Sequence, residues 1–199
     1  ALFVAVTGLM AAGLLMVSTL FVAESNMATV DTVLLLDILC FEAMLLRAFL
    51  GRQKNSPTSV WVACGYWLAL GVGLMLKGPV VLIPGFCTPL ALWAVERDRE
   101  WWSRLRPRWG WLLMLAVVVP WCVAIDVVSH GDFFSRAIGR NFLGKVAHGQ
   151  EAHGLPPGFH LIVFALAFWP GSFFAALAIP SVWKNRKLPQ VRFLLSWII

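Results

Sequence analysis

Six runs of roughly 17–25 mostly apolar residues, the length of a helix that crosses a bilayer, follow one another along this chain. They lie near 1–22, 28–46, 59–76, 79–95, 109–128 and 158–182, and a seventh begins at about 191. No other feature restricts the fold as much. The pattern predicts an all-α, polytopic transmembrane helix bundle. Composition excludes a soluble domain: hydrophobic residues make up 60% of the chain, charged residues only 13%, and the mean hydropathy is +0.79.

The charges between the runs orient the bundle. Taken alternately, the loops on one side carry Arg47, Arg52, Lys54, Arg97, Arg99, Arg104, Arg106, Arg108, Lys184, Arg186, Lys187 and Arg192. The other side carries Lys77, Arg136, Arg140 and Lys145, a division of 12 against 4 that uses all 16 Lys and Arg. The positive-inside rule places the first group in the cytoplasm. The net charge of +6 is thereby explained by topology and calls for no nucleic-acid partner. Cys40, Cys64, Cys87 and Cys122 all fall in predicted spans without CxxC spacing, the pattern of packing residues rather than of a disulfide framework or a metal cluster.

The chain begins at Ala1 inside an apolar run that lacks the basic region and cleavage site of a signal peptide. Residues 1–199 are therefore expected to be part of the transmembrane domain of a larger protein, about six complete spans and the start of a seventh. The cytoplasmic connectors GRQKNSP (51–57) and ERDREWWSRLRPRW (96–109) combine turn residues, charges and tryptophans suited to the membrane interface. Gly65, Gly71, Gly73 and Gly78 predict close approach of helix backbones. Pro84, Pro89, Pro120, Pro170 and Pro180 predict kinks.

Function is expected to concentrate in the long external loop, 129–157. Asp132 follows Gly131 as a helix cap, and Phe134, Ile138 and Phe142 share one face while Arg136 and Arg140 lie on another. This predicts an amphipathic helix lying in the interface and ending near Gly144. Arg136, Arg140 and Lys145 then form a basic cluster on the side where cations are scarce, at the depth of a lipid phosphate. His148, His153 and His160 with Glu151 are the one group that invites a metal, but their irregular spacing in a Gly- and Pro-rich segment does not preorganise ligands.

Charges within the spans are costly and therefore suspect. Asp31 stands at the external start of the second span, as a helix N-terminal carboxylate or an active-site polar group. Lys77 ends the third span on the same side, either as a snorkelling lysine or as a cation for an anionic headgroup. Asp37 and Glu42 lie deeper and, five residues apart, do not share a face; Glu42 is expected to pair with Arg47.

Met27-Ala28-Thr29-Val30-Asp31-Thr32, Leu76-Lys77-Gly78-Pro79, Pro120-Trp121, Asp132-Phe133-Phe134, Gly139-Arg140-Asn141-Phe142-Leu143-Gly144-Lys145 and His153-Gly154-Leu155-Pro156-Pro157-Gly158-Phe159 form one ordered series. It resembles the bacterial branch of the protein-O-mannosyltransferase-like superfamily, C-type glycosyltransferases that use polyprenyl-phosphate carriers, and within it the aminoarabinose lipid A transferases. The resemblance implies a multi-pass protein of the bacterial inner membrane. It implies transfer of a sugar from a polyprenyl-phosphate donor to a glycolipid or protein acceptor on the periplasmic face. Lys145, Arg140 and Lys77 are then expected to bind the lipid phosphate, with Asp31 an active-site polar residue. The family's catalytic carboxylate is expected before Ala1. A divalent metal is compatible with this chemistry, with His148 and His153 as its weak alternative ligands, and no cofactor is fixed by it. A flippase of a lipid-linked intermediate and a non-catalytic membrane scaffold are the competing readings.

Overall fold

A computed structural model describes residues 2–27, 29–53, 57–97, 100–134 and 159–198. These are helical and contain no strand. The apolar helices make this an all-α membrane protein.

The centre of the molecule is a hairpin of α3 (Val30–Gln53) and α4 (Val60–Lys77). Its antiparallel register is set by four approaches in succession. Asp31 meets Lys77, Asp37 faces Gly73, Phe41 meets Tyr66 edge-on, and Met44 lies on Gly65. Small residues on α4 thus admit large or polar ones from α3.

From α4 the helical run continues through a 3-10 turn, Gly78–Val81, into α5 (Leu82–Glu96). If the run Val60–Glu96 were straight, Tyr66 would lie about 28 Å from Gly85. Instead the Tyr66 hydroxyl donates to the Gly85 carbonyl over 2.8 Å, and Val81 abuts Gly73. The chain has doubled back. Gly78 makes the reversal at φ 69°, a conformation that costs a residue with a Cβ. Nothing lies within 4 Å of where that Cβ would be, so here the glycine serves the turn and not the packing.

The next helix, α7 (Pro107–Val128), returns parallel to α4. Met114 and Val117 pack over Gly71, and Gly110 lies against the Trp67 indole. Between α5 and α7 lies α6 (Glu100–Arg104), and this segment departs from expectation. Trp101 and Trp102 were expected on an interfacial connector. Trp101 is instead 1% exposed and stacks edge-on against Phe49, whose ring also meets Phe193 of the helix α11 (Pro189–Ile198). Trp102 packs on Tyr66 and Trp67. The physical reason is that a single helical turn separates the faces: the indoles turn inward while Glu100 stays exposed and pairs with Arg104. Trp67 Nε1 donates to the Leu105 carbonyl over 2.8 Å and holds that turn to α4.

Two runs expected as single spans are broken. The halves of the first, α1 (Leu2–Met16) and α2 (Thr19–Asn26), cross at 61°. At the break Ser18 is buried and its hydroxyl donates to the Leu15 carbonyl over 2.8 Å, satisfying a group that the interrupted helix leaves open. The halves of the other, α9 (Phe159–Ala167) and α10 (Gly171–Lys184), cross at 117°. Pro170 lies at that break and has no N–H to continue the ladder; Ser172 donates to the Ala165 carbonyl instead. Pro89, Pro120 and Pro180 are carried inside continuous helices.

Candidate functional site

The two helices that carry Asp31 and Lys77 run in opposite directions, so the first turn of α3 and the last turn of α4 lie at one end of the bundle. There Lys77 Nζ donates to Asp31 Oδ1. The sequence placed these residues on one side; the structure makes them an ion pair. Both side chains are a little under half exposed, 45% and 44%. An ion pair so wetted is worth at most about 1 kcal/mol. Each partner is therefore free to be exchanged for another group of the same charge.

Beside the pair lies a cleft of about 440 Å³. Its walls come from α1, α2, α3 and α9, and they are mostly apolar: Leu15, Leu20, Phe21, Leu35, Phe164 and Phe168 among them. Asp31 itself lines it, with Thr32, Glu24 and Ser18 as the other polar members. Glu24 is held by Thr29, whose hydroxyl donates to its Oε2 over 2.6 Å. The cleft lies beside both broken runs, with Ser18 and Phe168 at the two breaks among its lining residues. Sequence reasoning missed Glu24, Thr29 and Thr32. The available signal was an acid in the short loop on the same side as Asp31.

Two further carboxylates lie below the pair on α3. Asp37 Oδ2 is buried against Gly73 without a hydrogen-bond partner. Glu42 is 3% exposed, and its Oε1 accepts from Thr88 of α5 over 2.8 Å. The expected partner Arg47 is replaced by Thr88, because α5 brings a hydroxyl to the buried face where Glu42 already points. The Glu42 Oε2 oxygen is left without a partner.

Arg136, Arg140, Lys145, His148, Glu151 and His153 lie outside the described residues, as does most of the expected interfacial helix. Its start is present: α8 (Asp132–Phe134) follows a turn with His130 at φ 51° and Gly131 at φ 83°. Ser129 Oγ accepts from the Phe133 N–H, and Phe133 packs edge-on against Trp121. Among the described residues no three His, Cys, Asp or Glu side chains are grouped to hold a metal ion.

An ammonium beside a carboxylate, next to an apolar cleft between membrane helices, offers a place for an anionic headgroup and for hydrocarbon together. The family model described as dolichyl-phosphate-mannose-protein mannosyltransferase matches residues 1–123, a stretch that includes both Asp31 and Lys77. The undecaprenyl phosphate-alpha-4-amino-4-deoxy-L-arabinose arabinosyl transferase of Pseudomonas paraeruginosa (strain DSM 24068 / PA7) is 28% identical over 146 residues, 70% of this chain and 25% of that protein. The undecaprenyl phosphate-alpha-4-amino-4-deoxy-L-arabinose arabinosyl transferase 1 of Sodalis glossinidius (strain morsitans) is 28% identical over 167 residues, 79% of this chain and 28% of that protein. The chain thus spans about a quarter of the length of these relatives. No solved structure matches it. More than half of the chain follows the family model, and the chain belongs to the dolichyl-phosphate-mannose-protein mannosyltransferase family.

Proposed function

We propose that the protein to which this chain belongs is a membrane glycosyltransferase that moves a sugar from a polyprenyl-phosphate carrier to an acceptor on the periplasmic side of the bacterial inner membrane. The observation that carries this reading is the half-exposed Asp31–Lys77 ion pair set against an apolar cleft. Lys77 supplies a cation at the membrane surface and the cleft supplies room for hydrocarbon. A lipid phosphate takes the place of Asp31 on the ammonium, an exchange made easy by the small worth of a solvated pair. Held there, the cation stabilises the negative charge that grows on the phosphate as the glycosidic bond to it breaks. Asp31, released from Lys77, faces the cleft as an active-site polar group. Lys145 and Arg140 complete the phosphate site in this reading. The relatives' names point to a donor of the undecaprenyl-phosphate aminoarabinose kind, with lipid A, another glycolipid or a protein as acceptor.

The test is transfer of labelled sugar from an undecaprenyl-phosphate-linked aminoarabinose donor by the full-length protein in proteoliposomes. Lys77→Met is expected to lower kcat/KM by about a hundredfold or more, in the range seen when one group that stabilises a developing negative charge is removed. Asp31→Asn is expected to lower it as well. Full activity in both variants would sink the assignment. Consumption of donor without any glycosylated product would favour a flippase.

A further inference from the structure

Asp37 is not used by the function just proposed, and its position is costly. Its Oδ2 is buried at the α3–α4 contact without a partner, where an uncompensated polar atom is expensive. The glycine opposite admits it together with Val81: a Cβ at residue 73 would lie 2.5 Å from that oxygen and 2.6 Å from Val81 Cγ2, so a larger residue there would displace one or both.

The neighbour above Gly73 on the same face of α4, four residues on, is Lys77. One helical turn is about 5.4 Å, a distance that the four-carbon stem of a lysine covers. Lys77 therefore stands near two carboxylates of α3. Asp31, at the surface, holds the ammonium now; Asp37 lies opposite Gly73, a turn of α4 inward from Lys77, with an open oxygen beside the Val81 side chain.

We infer that Asp37 is a positioning residue, the second carboxylate partner of Lys77, which receives the ammonium whenever Lys77 leaves Asp31. The consequence for reaction rests on the transferase reading. An inward partner competes with the lipid phosphate for Lys77. It weakens the hold on the donor and, after transfer, draws the cation away from the spent carrier phosphate so that the carrier departs.

The pairing itself is tested without substrate, on the full-length protein in detergent, by thermal or denaturant unfolding. Asp37→Asn alone is expected to leave stability unchanged or slightly raised, since it removes an orphaned charge. In the Asp31→Asn background, where Lys77 has turned to Asp37, the same change is expected to cost about three- to tenfold in the folded-to-unfolded ratio, within the range for members of one ion-pair network. In a Lys77→Met background that coupling is expected to vanish. Additive effects of Asp31→Asn and Asp37→Asn would overturn the inference, and so would coupling that persists without Lys77. If a single variant does not fold, the three-dimensional structure of the Asp31→Asn protein decides: Lys77 Nζ within hydrogen-bonding distance of Asp37 supports the inference, and any other placement overturns it. In the transfer assay, Asp37→Asn is expected to lower donor KM and kcat together, a pattern that general damage to the fold does not produce. Coupling in unfolding without any sugar transfer would leave the pairing standing and remove the transferase reading. Transfer without coupling would do the reverse.

Discussion

The two ends of the α3–α4 hairpin are built on opposite principles. At the arginine-rich end, Phe49, Trp101, Leu105 and Phe193 are almost wholly buried, and Trp67 has its indole N–H satisfied by the Leu105 carbonyl. At the other end an ion pair is half exposed, a cleft of about 440 Å³ opens beside it, and Asp37 Oδ2 has no partner. One end is packed and closed; the other is open and electrostatically unfinished. The difference shows where stability resides and where exchange of partners is affordable. Under the proposed function, a carrier lipid that enters and leaves would need groups held by weak, replaceable contacts, and such groups stand here on a frame whose firm contacts lie a helix length away.

The largest expected effect on the fold is therefore at the closed end. Trp101→Ala removes a fully buried indole wedged against Phe49 and is expected to cost about 3–5 kcal/mol. The check is a fall in the apparent Tm of the full-length protein in detergent. If Trp101→Ala melted like the parent, α6 would be an interfacial connector after all and the contrast between the ends would collapse.

A smaller loss is expected from Gly110→Ala. Its Cβ would lie 1.8 Å from Trp67 Nε1, and Trp67 is held by its hydrogen bond to Leu105, so the indole cannot simply swing aside. Overpacking of this kind costs about 1–3 kcal/mol. Gly71→Ala is the control, because the nearest atom to its Cβ lies at 3.4 Å, close to ordinary contact. Equal melting of the two variants would mean that α4 and α7 adjust freely, and that the frame is softer than its packing suggests.

How much of this was legible beforehand follows the same division. Helix positions were readable because apolar length and loop charge are local properties. Gly78 was expected among the packing glycines and serves the reversal instead, because its positive φ and the open space around it are not local properties of the sequence. The burial of Trp101 and Trp102 was not readable, since their charged neighbours in ERDREWWSRLRPRW suggest a solvated connector, and only the helical turn of α6 separates the two faces. The break at Ser18 carries no proline, and its one local mark, a serine of the kind that caps helices, is outweighed by the unbroken apolar run around it. Asp31 and Lys77 were each singled out on the same side, yet their pairing joins residues 46 positions apart and depends on the hairpin register. Asp37 was visible as a charge within a span, but its meaning needed Gly73 beside it.

The smallest effect on stability is expected where the effect on function is expected to be greatest. Lys77→Met and Asp31→Asn each break an ion pair that is a little under half exposed, and solvent screening limits the loss to about 1 kcal/mol or less. Unfolding of the full-length variants should thus nearly superimpose on that of the parent while sugar transfer is lost. A loss of stability as large as that of Trp101→Ala would show the pair to be a clamp of the frame, and would merge the two ends that the structure otherwise separates. Near-parental melting with lost transfer would place Lys77 among groups kept for what they bind, because a residue that contributes so little to the fold has no structural reason to hold its charge at the edge of an apolar cleft.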